Sequence, residues 1–149
     1  MGTVEEQNKE LIRHQAELYN NHDIDAANEI YGRDFLKPEF TWEQNKEIDI
    51  MMIKSFPDWK ITIVDMIAEG DKVALINNVT GTHTGEAFMG IPATGSKIDC
   101  TNTRIVTIAD NKIVKFRGTS DVMGMFQPLG VFPPFMEALA AYKEAHNLE

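Results

Sequence analysis

DWKITIVDMIAEGDKVALINNVTGTH, residues 58–83, alternates apolar and polar side chains with a period of two, and Glu69-Gly70-Asp71 interrupts it once. A period of two belongs to a strand with one buried face, and a link of two or three polar residues joins antiparallel neighbours. The stretch therefore predicts a hairpin. Its first arm sets Trp59, Ile61, Ile63, Asp65 and Ile67 on one side, so a carboxylate is expected among the apolar side chains of the inner face. Its second arm sets Val73, Leu75, Asn77, Val79 and His83 in phase, which adds two polar groups to that face.

Downstream, the same period predicts strands at 97–109 and 112–121, with Ala109-Asp110-Asn111 as a second hairpin turn. Alternation aligns Ile98, Cys100, Asn102, Arg104, Val106 and Ile108, and then Ile113, Lys115, Arg117, Thr119 and Asp121. The link 84–95, with Gly85, Gly90, Pro92 and Gly95, is expected to loop over one end of the sheet. Upstream the period is that of helices. Val4, Leu11, Ile12, Gln15 and Leu18 mark one ending near Asn20-Asn21, and Asp23 caps a short second one that stops at Gly32. Phe35 and Phe40 flank Pro38 in an expected loop. Thr41 and Gln44 have capping-box spacing before a third helix, which carries Ile48, Met51, Met52 and Phe56. Beyond VMGMFQPLGVFPP, a closing helix contains Phe135, Leu139 and Tyr142. Three helices followed by four antiparallel strands is an α+β arrangement, with the helices covering one face of a bent sheet.

The 149 residues, 43% of them hydrophobic, suit one domain, with a core over about 5–130 and a helical extension at 131–147. A net charge of −9 without a basic run argues against a nucleic-acid partner, whose phosphates demand clustered Lys and Arg. Apolar stretches are strand-sized and the N-terminal MGTVEEQNKE is polar, so no membrane span or signal peptide is expected and a cytoplasmic location is the default. The single cysteine, Cys100, has no disulfide partner. A buried charge must be paired, wet or part of a ligand pocket. An ion pair of Asp65 with Arg104 that merely fixes strand register competes with a ligand pocket, and for His83 an ordinary, partly exposed histidine at a strand end competes with a functional one.

FPDWKITIVDMIAEGDKV (56–73), VTGTHTGEAFMGIPATG (79–95) and DVMGMFQPLG (121–130) resemble the SnoaL-like polyketide cyclase family of the nuclear-transport-factor-2-like superfamily. The resemblance covers roughly residues 5–130. It implies a cone in which a curved, mainly antiparallel sheet wraps three helices around an apolar pocket, and usually a homodimer. It also implies aldol ring closure without metal or organic cofactor, in which an aspartate at the end of the last strand is the general acid/base. Asp121 matches that aspartate, and His83, in GTHTGE, is a second candidate as proton partner or carbonyl polariser. An apolar pocket suits this chemistry because it raises a carboxyl pKa toward neutrality.

The chain departs from the family's usual pattern where Arg104 replaces a common acid, where Ile76-Asn77 replaces Arg-Trp, where Lys37-Pro38 replaces Asp-His, and where IVKFRG (113–118) replaces an acidic, aromatic stretch. These changes favour a small apolar or carboxylate-bearing ligand near Arg104 and Arg117, with Asp65 and Asp121 orienting the cations. Ligand contacts are expected from Trp59, Asp65, Asn77, Arg104, Arg117 and Phe35. Besides a cyclase or ketosteroid-isomerase-like enzyme, the sequence admits a non-catalytic ligand-binding or protein-interaction module of the same fold. An epoxide-hydrolase-like Asp-Arg-Asp set is a further alternative, with Val106 where its third member would stand.

Overall fold

The computed structural model describes residues 2–36 and 41–149, with Leu36 described for its backbone alone. Lys37, Pro38 and Phe40 lie outside the described residues. The elements run α1 (Val4–Asn20), α2 (Ile24–Glu29), β1 (Tyr31–Leu36), α3 (Trp42–Ser55), β2 (Lys60–Glu69), β3 (Lys72–Thr82), β4 (Lys97–Ala109), β5 (Lys112–Thr119), α4 (Val122–Phe126) and α5 (Phe135–Ala145).

Helix starts follow the capping chemistry. The Thr3 hydroxyl accepts the Glu6 N–H at 3.3 Å and the Asp23 carboxylate that of Ala26 at 3.1 Å. At α3, Thr41 Oγ1 accepts the Gln44 N–H while the Gln44 side chain accepts the Thr41 N–H, which closes the capping box. Both hairpins form as well. Gly70 has φ +57°, and Asp110 and Asn111 have φ +51° and +55°, the paired left-handed conformation of a type I′ turn.

The sheet has the order β1-β5-β4-β3-β2 and holds one strand more than the sequence pattern shows. Tyr31-Gly32-Arg33-Asp34-Phe35 forms β1, which pairs parallel with β5, so the segment expected as a helix stop and loop is an edge strand. Gly32 accordingly lies in a strand and is not among the left-handed glycines. A Gly and an Asp in five residues hide a strand from propensity, and the packing of Tyr31 and Phe35 on the core overrides it.

Two irregularities in register decide which side chains face inward. Ile63 pairs with Asn77 but Asp65 pairs with Ile76, so β2 bulges by one residue. Beyond the bulge Met66 turns in against the core, while Ile67 is 69% exposed. Asp65 is exposed too, and its carboxylate accepts only the adjacent Met66 N–H among the described residues. The expected inward Asp65 is thereby corrected. In β5, Lys115 pairs with Thr107 but Ile113 pairs with Ile108. That second shift places Ile113 and Phe116 inside and leaves Lys115 and Arg117 exposed, so the inward Arg117 is corrected for the same reason.

The core lies between α1, β1 and the inner face of the sheet, with Ile12, Val73, Val106 and Ile113 shut off from solvent. A second cluster around Phe56, Val79, Phe88 and Ile98 fills the end nearer α3 and the 84–95 loop. Burying each such side chain contributes about 1.5–3 kcal/mol. Asn20 ties α1 to the free edge of β2, its side-chain amide donating to Ile61 O at 2.8 Å and accepting from Ile61 N at 2.7 Å, as a neighbouring strand would. The closing helix α5 forms as expected but buries none of its residues, with Phe135 and Met136 exposed. Among the described residues no helix is long and apolar enough to cross a membrane.

Candidate functional site

Between α1, α3 and the inner sheet face lies a half-open cavity of about 160 Å³. Its apolar walls come from Met52 and Ile53 of α3, from Trp59 and Ile61 at the start of β2, and from Val79 and Phe116. Its polar groups come from four directions. Asn77 and Asn102 face each other across the β3–β4 pair, and Arg104 stands two residues further along β4. Tyr19 of α1, Tyr31 of β1 and Asn45 and Asp49 of α3 complete the polar lining. The exposed Thr103, Thr119 and Ser120 form the rim.

Arg104 owes its position to its neighbours. Its partner on β5 is Gly118, where a Cβ would lie 2.9 Å from Arg104 Cβ and 2.4 Å from the Thr103 carbonyl. The glycine therefore admits the close approach of β5 to Arg104, so two departures noted in the sequence, Arg104 and Gly118, are structurally coupled. Arg104 Nε is closed off from solvent and has no hydrogen-bond acceptor among the described residues. Such a group costs about 1–3 kcal/mol while unsatisfied.

Asp49 collects donors. Its Oδ2 accepts the Tyr19 hydroxyl at 2.7 Å, Asn28 Nδ2 at 3.0 Å and Asn45 Nδ2 at 3.4 Å. Asn28 is fully buried and is fixed in turn by α2 and by the Trp42 indole, which donates to its carbonyl at 3.0 Å. Burial raises the Tyr19 phenol well above its ordinary pKa, and it raises that of Tyr31 against the opposing pull of Arg104. Both remain protonated donors at neutral pH.

The structure brings Trp59, Asn77 and Arg104 together on the cavity. Phe35 sits behind the wall, 3% exposed, with its ring 4.5 Å from that of Tyr31 and 6.3 Å from that of Phe116. It supports the wall without lining it. Asp65 and Arg117 are on the far side of the sheet, for the reason given above. His83 is fully buried instead of partly exposed and lies outside the cavity, its ring stacked 5.1 Å from Phe56. Its Nδ1 accepts the Thr94 N–H at 3.3 Å, which places the ring proton on Nε2, facing the Glu86 carbonyl at 3.3 Å. Both nitrogens are thus occupied in holding the 84–95 loop.

Asp121 caps α4. Its Oδ1 accepts the Gly124 N–H at 2.8 Å, and its own N–H donates to Asn102 Oδ1 at 3.0 Å. It is half-buried, makes no ion pair among the described residues, and is joined to the cavity rim through Ser120.

Tyr19, Tyr31 and Asp49 were not singled out from the sequence. Asn45, Asp49 and Met52 recur at helical spacing, which marks polar residues on a buried helix face, and Tyr19 lies one turn beyond Gln15 on the buried stripe of α1. Tyr31 lay in the unrecognised β1.

The SnoaL-like polyketide cyclase family model matches residues 9–129. Among solved structures, AclR from Streptomyces galilaeus, proposed to be a hydroxylase, superimposes with a TM-score of 0.81 at 24% identity, covering 97% of this chain and 95% of that one. IdmH from Streptomyces antibioticus, proposed to be a polyketide cyclase, is 27% identical with a TM-score of 0.69, covering 84% of this chain and 99% of its own. A protein from Jannaschia sp. CCS1, proposed to be a SnoaL-like polyketide cyclase, has a TM-score of 0.73 at 20% identity over 89% of this chain and 98% of that one. No curated protein matches the chain. The matched region spans every element that builds the cavity, and the α+β architecture is that of these neighbours; the chain belongs to the SnoaL-like polyketide cyclase family.

Proposed function

We propose that the chain binds a small, largely apolar ketone in this cavity and closes or isomerises it without a cofactor, with Asp121 as general acid/base. The observation that carries this reading is a half-open cavity lined by both apolar and polar side chains, whose rim residue Ser120 adjoins a carboxylate that makes no ion pair among the described residues. Family membership supports it. A dry cavity near 150 Å³ holds about one benzene-sized ring, so a larger substrate would project past Thr119 and Ser120 toward Asp121.

The chemistry balances without an added reagent. Asp121 takes the proton α to a carbonyl, the C–H pair forms a C=C bond, and the carbonyl π pair moves onto oxygen. The enolate carbon then attacks a second carbonyl of the same molecule, and the new alkoxide recovers the proton from Asp121. The product is an isomer of the substrate. Trp59, Ile61 and Phe116 would exclude water and hold the ring, and Asn102 would orient Asp121 through its backbone N–H.

One observation favours a non-catalytic ligand-binding module instead: Asp121 already spends one oxygen on the Gly124 N–H. Deuterium exchange into the α-position of 2-acetylcyclohexanone, followed by NMR, separates the two. The enzyme reading expects catalysed exchange that falls by about 100-fold or more in Asp121→Asn, whereas exchange no faster than in buffer alone, or unchanged in the variant, would leave the binding module. The exposed outer-face residues Val64, Ile67, Ile76 and Ile105 support a homodimer as the form in which either would operate.

A further inference from the structure

Resting on the reading of the cavity as the ketone site, a narrower assignment concerns its deep corner. We propose that Arg104 is a seat for an oxyanion carried on a single-ring ligand, either a ring carboxylate or an enolised 1,3-dicarbonyl.

Arginine has five N–H donors and no acceptor, so an anion is its natural partner. Tyr19, Tyr31, Asp49 and Arg104 line the same cavity, and the Tyr19 hydroxyl donates to Asp49 at 2.7 Å. None of the ion pairs among the described residues includes Arg104.

A cation in that position still requires a counter-charge, because a buried charge is stable only when paired. Arg104 also has an N–H with no acceptor among the described residues, in the wall of a cavity that Trp59, Ile61, Val79 and Phe116 line from its apolar side. An oxygen anion on a flat ring supplies what both lack. The bulges sharpen the point by sending Arg117 and Asp65 outside, so neither competes for the ligand nor for Arg104. Guanidinium stays charged at all working pH, so the seat is present whenever the ligand is ionised.

Calorimetric titration at pH 8 with benzoate, with cyclohexane-1,3-dione as its enolate and with neutral cyclohexanone tests the assignment on one ring size. Wild type is expected to bind at least one of the anions tenfold or more tightly than cyclohexanone, and the anion that does so identifies the source of the oxyanion. Arg104→Gln is expected to bring the anion's affinity to within twofold of cyclohexanone's, a loss of selectivity that a general loss of packing would not produce. Binding of neither anion, or a preference that survives Arg104→Gln, overturns the assignment. The acid/base reading fails separately, on unchanged deuterium exchange in Asp121→Asn, whatever the anions do.

Discussion

Strands β3 and β4 pair without interruption from Lys72–Thr107 to Thr82–Lys97, whereas β2 loses register once against β3 and β5 loses it against both β4 and β1. In the unbroken pair every inward side chain is where alternation places it. Asn77, Asn102 and Arg104 reach the cavity in phase with Val79 and Val106. In the two broken strands the residues beyond each bulge change faces, and both charged residues expected inside, Asp65 and Arg117, are outside. The difference shows what a bulge does to a binding surface. One extra residue per strand removes one carboxylate and one guanidinium from the cavity and leaves Arg104 as the cation of its lining among the described residues.

The largest effect that would break this comparison is a contrast between two aspartates. Asp49→Ala strips the acceptor from Tyr19, Asn28 and Asn45 and is expected to lower unfolding free energy by about 3 kcal/mol. Asp65→Ala, outside the bulge, is expected to stay within about 0.5 kcal/mol of wild type. Urea denaturation reads both, and equal losses would put the two carboxylates in equivalent environments.

A smaller effect probes the unbroken strand. Burial, aided by the charges of Asp121 and Asp99, pushes the Cys100 thiol up to about 11. The folded state therefore holds that proton more tightly than the unfolded chain, whose thiol titrates near 8.5. The resulting stability is complete below the unfolded value and is lost as pH rises toward 11. Comparing stability from urea denaturation at pH 8 and pH 10.5, wild type is expected to lose roughly 2 kcal/mol more than Cys100→Ser. The variant also removes the thiol from the parallel alkaline titration of Tyr19 and Tyr31.

The course of the chain was legible wherever one period ran unbroken between clear stops. The capping box at Thr41 and Gln44, the turns at 69–71 and 109–111, and the faces of β3 and β4 all follow from local chemistry. Neither bulge could be read, because the extra residue in each strand, around Val64 and Val114, is an ordinary β-branched one that signals nothing locally. Strand β1 was hidden because Gly32 suits a helix end as well as an edge strand, and only its parallel pairing with β5 decides. The site divides in the same way. Trp59, Asn77 and Arg104 were visible as members of an alternating face, while Tyr19, Tyr31 and Asp49 are joined only by tertiary contacts across α1, β1 and α3. His83 lies in the stretch that carries the resemblance but serves the loop that follows it.

The central claim, that the bulges turn Asp65 and Arg117 out and leave Arg104 as the cavity's cation, is tested most directly by thiol accessibility. In a Cys100→Ser background, single replacements Asp65→Cys, Arg117→Cys and Arg104→Cys would be labelled with a bulky maleimide and their rates compared. Fast labelling at positions 65 and 117, with labelling at 104 slower by about tenfold or more, is the expected result, since thiol reactivity follows access. Comparable rates at 104 and 117 would place both arginines on the same face and contradict the account.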